Sequence, residues 1–360
     1  MTRKIRVGVL FGGASCEHKI SCASAQNVLL ALHSEKYEAV PIYIDKTGRW
    51  QTVEKHALLE KEALKLLSEG VAITSEGQKE LCVKDEVHAQ SLDVIFPVLH
   101  GPNGEDGTVQ GFLKLMSIPF VGPSVLGSSV SMDKDVMKRL LREANIPVVP
   151  WVTLFSYKKD VVDYDAICKK LGLPLFVKPA NMGSSVGVSK AKTKEELVLA
   201  IEKAFRYDRK ILVEQAVEAR ELECAVLGNE EPIVSLVGEV ITSYEFYSYE
   251  AKYFDEGLRL EIPARVSEEK AGEVQELAKA CFKTLCCEGM ARVDFFMTQD
   301  GTLYVNELNA IPGFTNSSMY PKLWERSGIS QQELIDQLIT LAISRFAQES
   351  EITKSCQELV

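Results

Sequence analysis

The chain is expected to fold as α/β in three parts. These are a parallel α/β unit over residues 1–122, a small α+β unit over 123–213, and a mainly antiparallel α+β unit over 214–360. Three observations predict this. Strand and helix signals alternate through the first third, hairpin signals dominate the last third, and 360 residues exceed one ordinary domain of ~150.

Residues 5–11 read as a buried strand, Gly12-Gly13 as a turn, and Ser21 to Leu32 as a helix. Residues 37–44 form a second strand and 54–68 a charged helical stretch. Residues 92–99 form a strand that runs into the loop HGPNGEDGT, followed by helix 108–116 and the short strand PFVG. Such βαβ alternation implies a parallel sheet covered by helices. Ligands of these sheets bind beyond the carboxyl ends of the strands, so the loops GGASCEH and HGPNGEDG are site candidates. A boundary follows near Gly122-Pro123. Val130 to Ala144 reads as one helix with Val136, Met137, Leu140, Leu141 and Ala144 on one face, stopped by Asn145 and Pro147. Next come strand 173–178, the loop Pro179 to Gly183, a strand from Ser184 or Ser185, helix 194–205 and strand 210–215. The last third reads as strands 221–228 and 233–241, a Tyr-rich polar loop 243–257, helix 267–287, hairpin 291–308 and a helix near 330–347.

Composition excludes several classes. With 46% apolar and 26% charged residues the chain is neither disordered, collagenous nor a coiled coil as a whole. The net charge of −10 argues against a general nucleic-acid or anionic-membrane partner, while allowing a local basic pocket. The start MTRKIRVGVLFGG reads as a strand and loop rather than a signal peptide, and no apolar run is long enough for a transmembrane helix. Nine scattered cysteines without a C-x-x-C pair fit reduced thiols in a cytoplasmic protein.

The segment ARVDFFMTQDGTLYVNELN is the most informative. Asp300-Gly301 signals a tight hairpin turn. A symmetric turn there sets Asp294 opposite Glu307 and Arg292 opposite Asn309. All four then share one face, with Val293, Phe295, Met297, Leu308 and Tyr304 on the other. Opposed carboxylates repel at Cβ separations of ~5 Å, so something must offset the charge. An all-oxygen set suits a hard cation such as Mg²⁺, completed by phosphate and water. A solvated face on which Arg292 screens two acids is the alternative.

The glycine-serine loop Lys178-Pro-Ala-Asn-Met-Gly-Ser-Ser-Val-Gly187 is not a P-loop, and no G-x-G-x-x-G follows the first strand. Such a loop folds over phosphates or makes an ordinary hairpin. Lys134 on the preceding helix and Lys178 at the strand end are the nearby cations.

Taken in order, FGGASCEHKIS, HGPNGEDGTVQGFL, SMDK, FVKPANMGSSVGVS, LVEQ, EAKYFD, ARVDFF and VNELNAIPGFTNSSMYPKLW resemble the D-alanine–D-alanine ligases, members of the ATP-grasp enzymes. The resemblance runs over nearly the whole chain. It implies an ATP-grasp fold with a Rossmann-like N-terminal domain and a central lid. Glu17 would hold the ammonium of the first D-alanine, with His100 beside it. Lys134 and Lys178 match ATP-contacting lysines, and Ser184 and Ser185 the lid over the phosphates. The backbone from Glu214 through Gln215 to Val217 would read adenine, and Glu221 the ribose; Asn306 joins the nucleotide set. Lys252 and Tyr253 match a closing loop. Arg292 would stabilise the transition state, and Asp294, Glu307 and Asn309 would hold two Mg²⁺ ions, with Mn²⁺ a possible substitute. Gly313 matches an oxyanion donor, while Ser318 and Met319 match the contact to the second substrate's carboxylate. Three departures stand out: Gln215 where many relatives have Lys, Ala310 where Thr is common, and Asn181-Met182 in a variable loop.

The implied reaction activates one D-alanine as an acyl phosphate with ATP and joins it to a second, for peptidoglycan precursors. A cytoplasmic homodimer is expected from the resemblance. The competing readings are another ATP-grasp ligase with a different acceptor, a nucleotide-binding regulator, and a dehydrogenase. Retention of Arg292, Asp294, Glu307 and Asn309 disfavours the regulator, and the absent dinucleotide fingerprint disfavours the dehydrogenase.

Overall fold

A computed structural model describes residues 3–55, 58, 72–74, 80–84, 89–241 and 259–357. Most of the expected helix 54–68 and the Tyr-rich loop 243–257 lie outside the described residues.

The first sheet has the order β3-β2-β1-β7, from β1 (Ile5–Gly12), β2 (Tyr37–Ile44), β3 (Trp50–Thr52) and β7 (Val94–Pro97). β1 pairs in parallel with β2 and β7, and β3 is antiparallel to β2. The expected strand PFVG makes one parallel bridge, between Ile95 and Phe120. Val7, Val9 and Phe11 pack on one face with the helix His18–Ala31 and with Tyr320, Trp324 and Leu338 from the C-terminal helices. Leu10, Ile42 and Ile95 pack on the other with Leu113 of the helix Thr108–Leu115. Burial on both faces explains why β1 past Arg6, residues 7–11, carries no polar side chain. A small antiparallel sheet of β4 (Ala72–Thr74), β5 (Glu80–Lys84) and β6 (Ala89–Ser91) interrupts the alternation.

The expected single helix Val130 to Ala144 is two helices, Val125–Met132 and Lys134–Glu143. Asp133 breaks them: its backbone is extended and its carboxylate accepts from the N–H groups of Asp135 and Val136. An N-cap aspartate satisfies donors that a continuous helix would have bonded to carbonyls. Leu140 and Ala144 are consequently exposed, and Asp135, Met137, Lys138 and Leu141 form the buried side.

The central sheet is β10-β9-β11-β8, antiparallel throughout, from β8 (Trp151–Phe155), β9 (Leu175–Pro179), β10 (Ser189–Ala191) and β11 (Lys210–Gln215). The helices Tyr164–Leu171 and Lys194–Ala204 bury Ile167, Leu171, Leu197 and Ile201 against it. The strand expected from Ser184 or Ser185 begins at Ser189, because both serines hold left-handed φ angles of 48° and 59°. The expected division at 213/214 falls inside β11.

The third sheet is antiparallel, β14-β13-β12-β15-β16, from β12 (Ala219–Gly228), β13 (Ile233–Ile241), β14 (Arg259–Glu261), β15 (Gly289–Thr298) and β16 (Leu303–Asn309). The helix Glu268–Thr284 covers one face through Val274, Ala278 and Phe282. The hairpin differs from expectation in one respect. Thr298 and Thr302 bracket a loop over 299–301 in which Gly301 has φ 84°. That loop pairs Phe295 with Val305 and would set Asp294 against Asn306. Asn306 bulges out instead, and beyond it Asp294 faces Glu307 and Arg292 faces Asn309. The bulge also changes the core face: Leu303 and Val305 are buried, and Tyr304 is on the other side.

Candidate active site

The third sheet places carboxylates in a row. Glu223 on β12 is the cross-strand partner of Asp294 on β15, which in turn faces Glu307 on β16. Arg292 lies two residues from Asp294 on the same face and donates from Nε and Nη2 to its two oxygens, each at 2.7 Å. Its Nε is also 2.8 Å from Glu223 Oε2. Burial opposes the Arg292 charge, but Asp294 and Glu223 outweigh it and raise the pKa. Asn309 Nδ2 donates to Asp294 at 2.9 Å, and Glu307 pairs with Lys134 Nζ at 3.2 Å. The face is therefore neither bare nor simply solvated: each acid has a cation of the protein beside it.

Glu17 occupies the N-cap position of the helix His18–Ala31, where a carboxylate meets the positive helix end. The Ser21 hydroxyl accepts from Gly12 N–H and donates to the Val98 carbonyl, tying the ends of β1 and β7 together above it. Glu17 is buried, and the Ser184 hydroxyl donates to it across 167 residues of sequence. Gly101 and Gly183 enclose the acid: a Cβ on either would lie 2.7 or 2.8 Å from Glu17 Oε2. His100 is buried beside it, with Nδ1 3.2 Å from the Ile311 carbonyl and 3.6 Å from Glu105, and Nε2 3.2 Å from Ser24 Oγ. Burial disfavours the imidazolium, but Glu105 and Glu17 outweigh it and raise the His100 pKa.

Behind the Ser184 loop is a cleft of about 810 Å³, within the size range of small-molecule sites. Lys178, Ser184, Ser185, Glu214, Gln215, Val217, Glu221, Asn306 and Glu307 line it, together with the apolar Phe176 and Phe296. Glu214 is fully buried between Lys178 at 2.6 Å and Lys138 at 3.0 Å. Desolvation pushes its pKa up, but the two ammonium groups outweigh this and hold it below the usual carboxylate range. Lys134 donates to the Met182 carbonyl at 3.0 Å, fastening the loop from below. Two successive non-glycine residues with positive φ, Ser184 and Ser185, are a costly conformation that points to function.

A second cavity holds Glu17, His100, Glu223, Arg292, Asn309, Gly313, Ser318 and Met319. It shares Lys134, Gly183, Ser184, Val240 and Glu307 with the cleft, so the two adjoin. Ser318 Oγ accepts from Thr315 N–H at 3.0 Å, and the Met319 side chain is buried against Gly238. Lys252 and Tyr253 lie outside the described residues.

Sequence reasoning passed over Glu223, Lys138, Phe176 and Lys190. Strand alternation carries a signal for two of them: Phe176 shares a face with Lys178, and Glu223 shares one with Glu221. Lys190 sits opposite Phe176, 5.8 Å from its ring centroid. Lys138 offers none, since its partner is remote in sequence.

Among the described residues no group of three His, Cys, Asp or Glu side chains is placed to hold a metal ion. Two facing carboxylates and an amide still form an all-oxygen set with room for phosphate ligands, which fits a hard divalent cation. The seven cysteines whose side chains are described are free, and burial pushes Cys224 up to about 12, which removes it as a nucleophile.

Comparison with known proteins places the chain in a family. Residues 6–123 match the family described as D-ala D-ala ligase N-terminus, and residues 140–340 match D-ala D-ala ligase C-terminus. A D-alanine--D-alanine ligase of Oceanobacillus iheyensis is 48% identical over 98% of this chain and 99% of its own. The solved D-alanine-D-alanine ligase from Coxiella burnetii superposes with a TM-score of 0.87 at 37% identity, covering 99% of each chain. The VanG D-Ala:D-Ser ligase from Enterococcus faecalis does so with a TM-score of 0.85 at 36% identity, over 94% of this chain and 100% of its own. With both family regions matched in order and relatives aligned end to end, the chain belongs to the D-alanine–D-alanine ligase family.

Proposed function

We propose that the two adjoining cavities carry out the family reaction, ATP-dependent joining of two D-alanine molecules through a D-alanyl phosphate, with release of ADP and phosphate. Ligation, the use of ATP and a divalent metal ion, and the supply of peptidoglycan precursors follow from the family. The observation that carries the assignment is the shared wall: Lys134, Gly183, Ser184 and Glu307 belong to both cavities, so a γ-phosphate in one meets a carboxylate in the other.

In this reading Glu17 binds the ammonium of the first D-alanine, and His100 supports that carboxylate. Lys134 and Lys178 take the phosphates, Ser184 and Ser185 close over them, and Glu214 through Val217 read adenine while Glu221 and Asn306 line the remainder. Asp294, Glu307 and Asn309 would hold two Mg²⁺ ions, or Mn²⁺ in their place. When bound, such cations neutralise charge on the transferring phosphoryl group.

A free carboxylate acylates poorly because oxide is a poor leaving group. Attack of the first D-alanine's carboxylate on the γ-phosphate gives an acyl phosphate, whose leaving group is phosphate. The neutral amine of the second D-alanine, its carboxylate at Ser318 and the Met319 N–H, then attacks. Arg292 and the Gly313 N–H face the tetrahedral oxyanion. The Ser184 loop, pinned to Glu17, keeps out water that would hydrolyse the intermediate. Tyr253 and Lys252 would complete the closure.

The three-part division 1–122, 123–213 and 214–360 is supported by the separate sheets built around β1, β9 and β12, although β11 carries the central sheet two residues past the second boundary. Free thiols support a reducing compartment, the cytoplasm. No helix among the described residues is long and apolar enough to cross a membrane. Family resemblance supports a homodimer.

The test is phosphate release from ATP with D-alanine, L-alanine, and D-alanine plus D-serine or D-lactate. D-Alanine alone should suffice and should yield the dipeptide. Phosphate release that requires D-serine or D-lactate would replace the second substrate in this assignment.

A further inference from the structure

The mechanism gives Lys138 nothing to do, yet it is an entirely buried lysine. Lysine is almost never fully buried without a partner. Its Nζ is 3.0 Å from Glu214 Oε1 and donates to the Val149 carbonyl at 3.2 Å, and it lies 5.6 Å from the centroid of the Trp151 ring. It lines neither cavity. The other oxygen of Glu214 is held by Lys178 at 2.6 Å, and Lys178 does line the cleft. One buried acid is thus shared by a lysine facing the ligand and a lysine sealed behind it.

The helix Lys134–Glu143 makes this possible. Lys134 and Lys138 are one turn apart, but Lys134 reaches Met182 and Glu307 at the cavity wall while Lys138 turns toward Glu214. A phosphate arriving in the cleft needs Lys178, and Lys178 cannot fully serve both a phosphate and Glu214. Were it the acid's sole cation, its transfer would strand a charged carboxylate in the protein interior, which is costly.

We propose that Lys138 is a positioning residue that stays on Glu214 when Lys178 transfers to the nucleotide's phosphates, so that phosphate binding does not leave the buried acid unpaired. This rests on reading the cleft as the nucleotide site. It makes Lys138 matter to phosphate-bearing ligands and not to the nucleoside.

The experiment titrates wild type, Lys138→Met and Lys138→Arg with ADP and with adenosine, at pH 8 without added metal, by calorimetry. Lys138→Met should weaken ADP about tenfold or more relative to adenosine, because Lys178 is then retained by Glu214. Lys138→Arg keeps the charge and should keep the ratio of the two affinities within about threefold of wild type. A purely structural lysine would lower both affinities together. Equal losses, or no loss of either ligand in Lys138→Met, overturn the proposal. Wild type that binds neither ligand instead overturns the reading of the cleft. Should Lys138→Met fail to fold, Glu214→Gln supplies a test of opposite sign. The neutral amide frees Lys178, so the affinity for ADP relative to adenosine should rise; a ratio that holds or falls overturns the proposal.

Discussion

The hairpin Gly289–Asn309 and the cleft around Glu214 both set acids against cations, but they are built in opposite ways. The hairpin cluster comes from neighbouring strands, and its side chains keep 13–23% of their surface open at Asp294, Arg292 and Glu307. The cleft cluster comes from three remote elements and seals Lys138 and Glu214 to 1% and 3%. Partial exposure leaves the hairpin's acids able to exchange a protein cation for an arriving one. Burial makes the Glu214 cluster hold its own charges, because water cannot replace a lost partner there. The site thus joins an exchangeable cluster to a permanent one, with Lys134 and Lys178 at the border between them.

The largest expected effect tests the exchangeable side. Glu307→Gln should keep the fold and lower ligation turnover about a hundredfold, since it removes the negative charge and one oxygen from one of the two facing carboxylates. A variant that retains more than about a tenth of wild-type turnover, ~1.4 kcal/mol at most, would show that the hairpin is not the metal platform.

Next is Glu17→Gln. The carboxylate is clamped by Ser184, Gly101 and Gly183 and faces the amino-acid cavity, not the cleft. Binding of the first D-alanine should weaken about tenfold, with ATP affinity changing less than about twofold. Lost ATP affinity with an unchanged D-alanine response would contradict the assignment.

A smaller change is expected from Glu223→Gln, which leaves Arg292 with its two bonds to Asp294 but removes the charge of the acid 2.8 Å from its Nε. Arg292 should then hold Asp294 more firmly against an incoming cation, so half-maximal rate should need about threefold more Mg²⁺. An unchanged metal requirement would separate Glu223 from the exchangeable cluster.

The smallest effect is one of stability. His100 has a raised pKa in the fold: burial opposes its charge but is outweighed by Glu105 and Glu17. Its contribution is therefore complete below the unfolded imidazole value of about 6.5 and is lost as pH climbs through the raised folded value. Wild type should lose stability to urea on going from pH 6 to pH 8.5 relative to His100→Gln. Parallel losses in the two proteins would remove His100 as the source.

Much of this site is legible in the sequence. Arg292, Asp294, Glu307 and Asn309 fall within one hairpin with an Asp-Gly turn, and period-2 alternation assigns their face. Glu17 and His100 could be placed beyond the ends of parallel strands because βαβ units always open there. Other features were not legible. Val130 to Ala144 has helical periodicity throughout, and only the capping geometry of Asp133, pulled to Lys210 at 2.5 Å, splits it.

The sequence by itself determined the parallel and antiparallel regions, the main strands and helices of each, and the residues of the hairpin face, because these depend on local periodicity and turn chemistry; it missed β3 to β6, β8, β14 and the helix Tyr164–Leu171, most of them short. It also named the partners Asp294 and Glu307, although for a turn the protein does not use. Only the tertiary structure decided the rest. The unpaired Asn306 resets the register so that two acids face each other. The Ser184 loop reaches Glu17, and Lys138 meets Glu214. Each of these joins groups far apart in sequence or adds a residue that periodicity does not count, so packing and burial alone fix them.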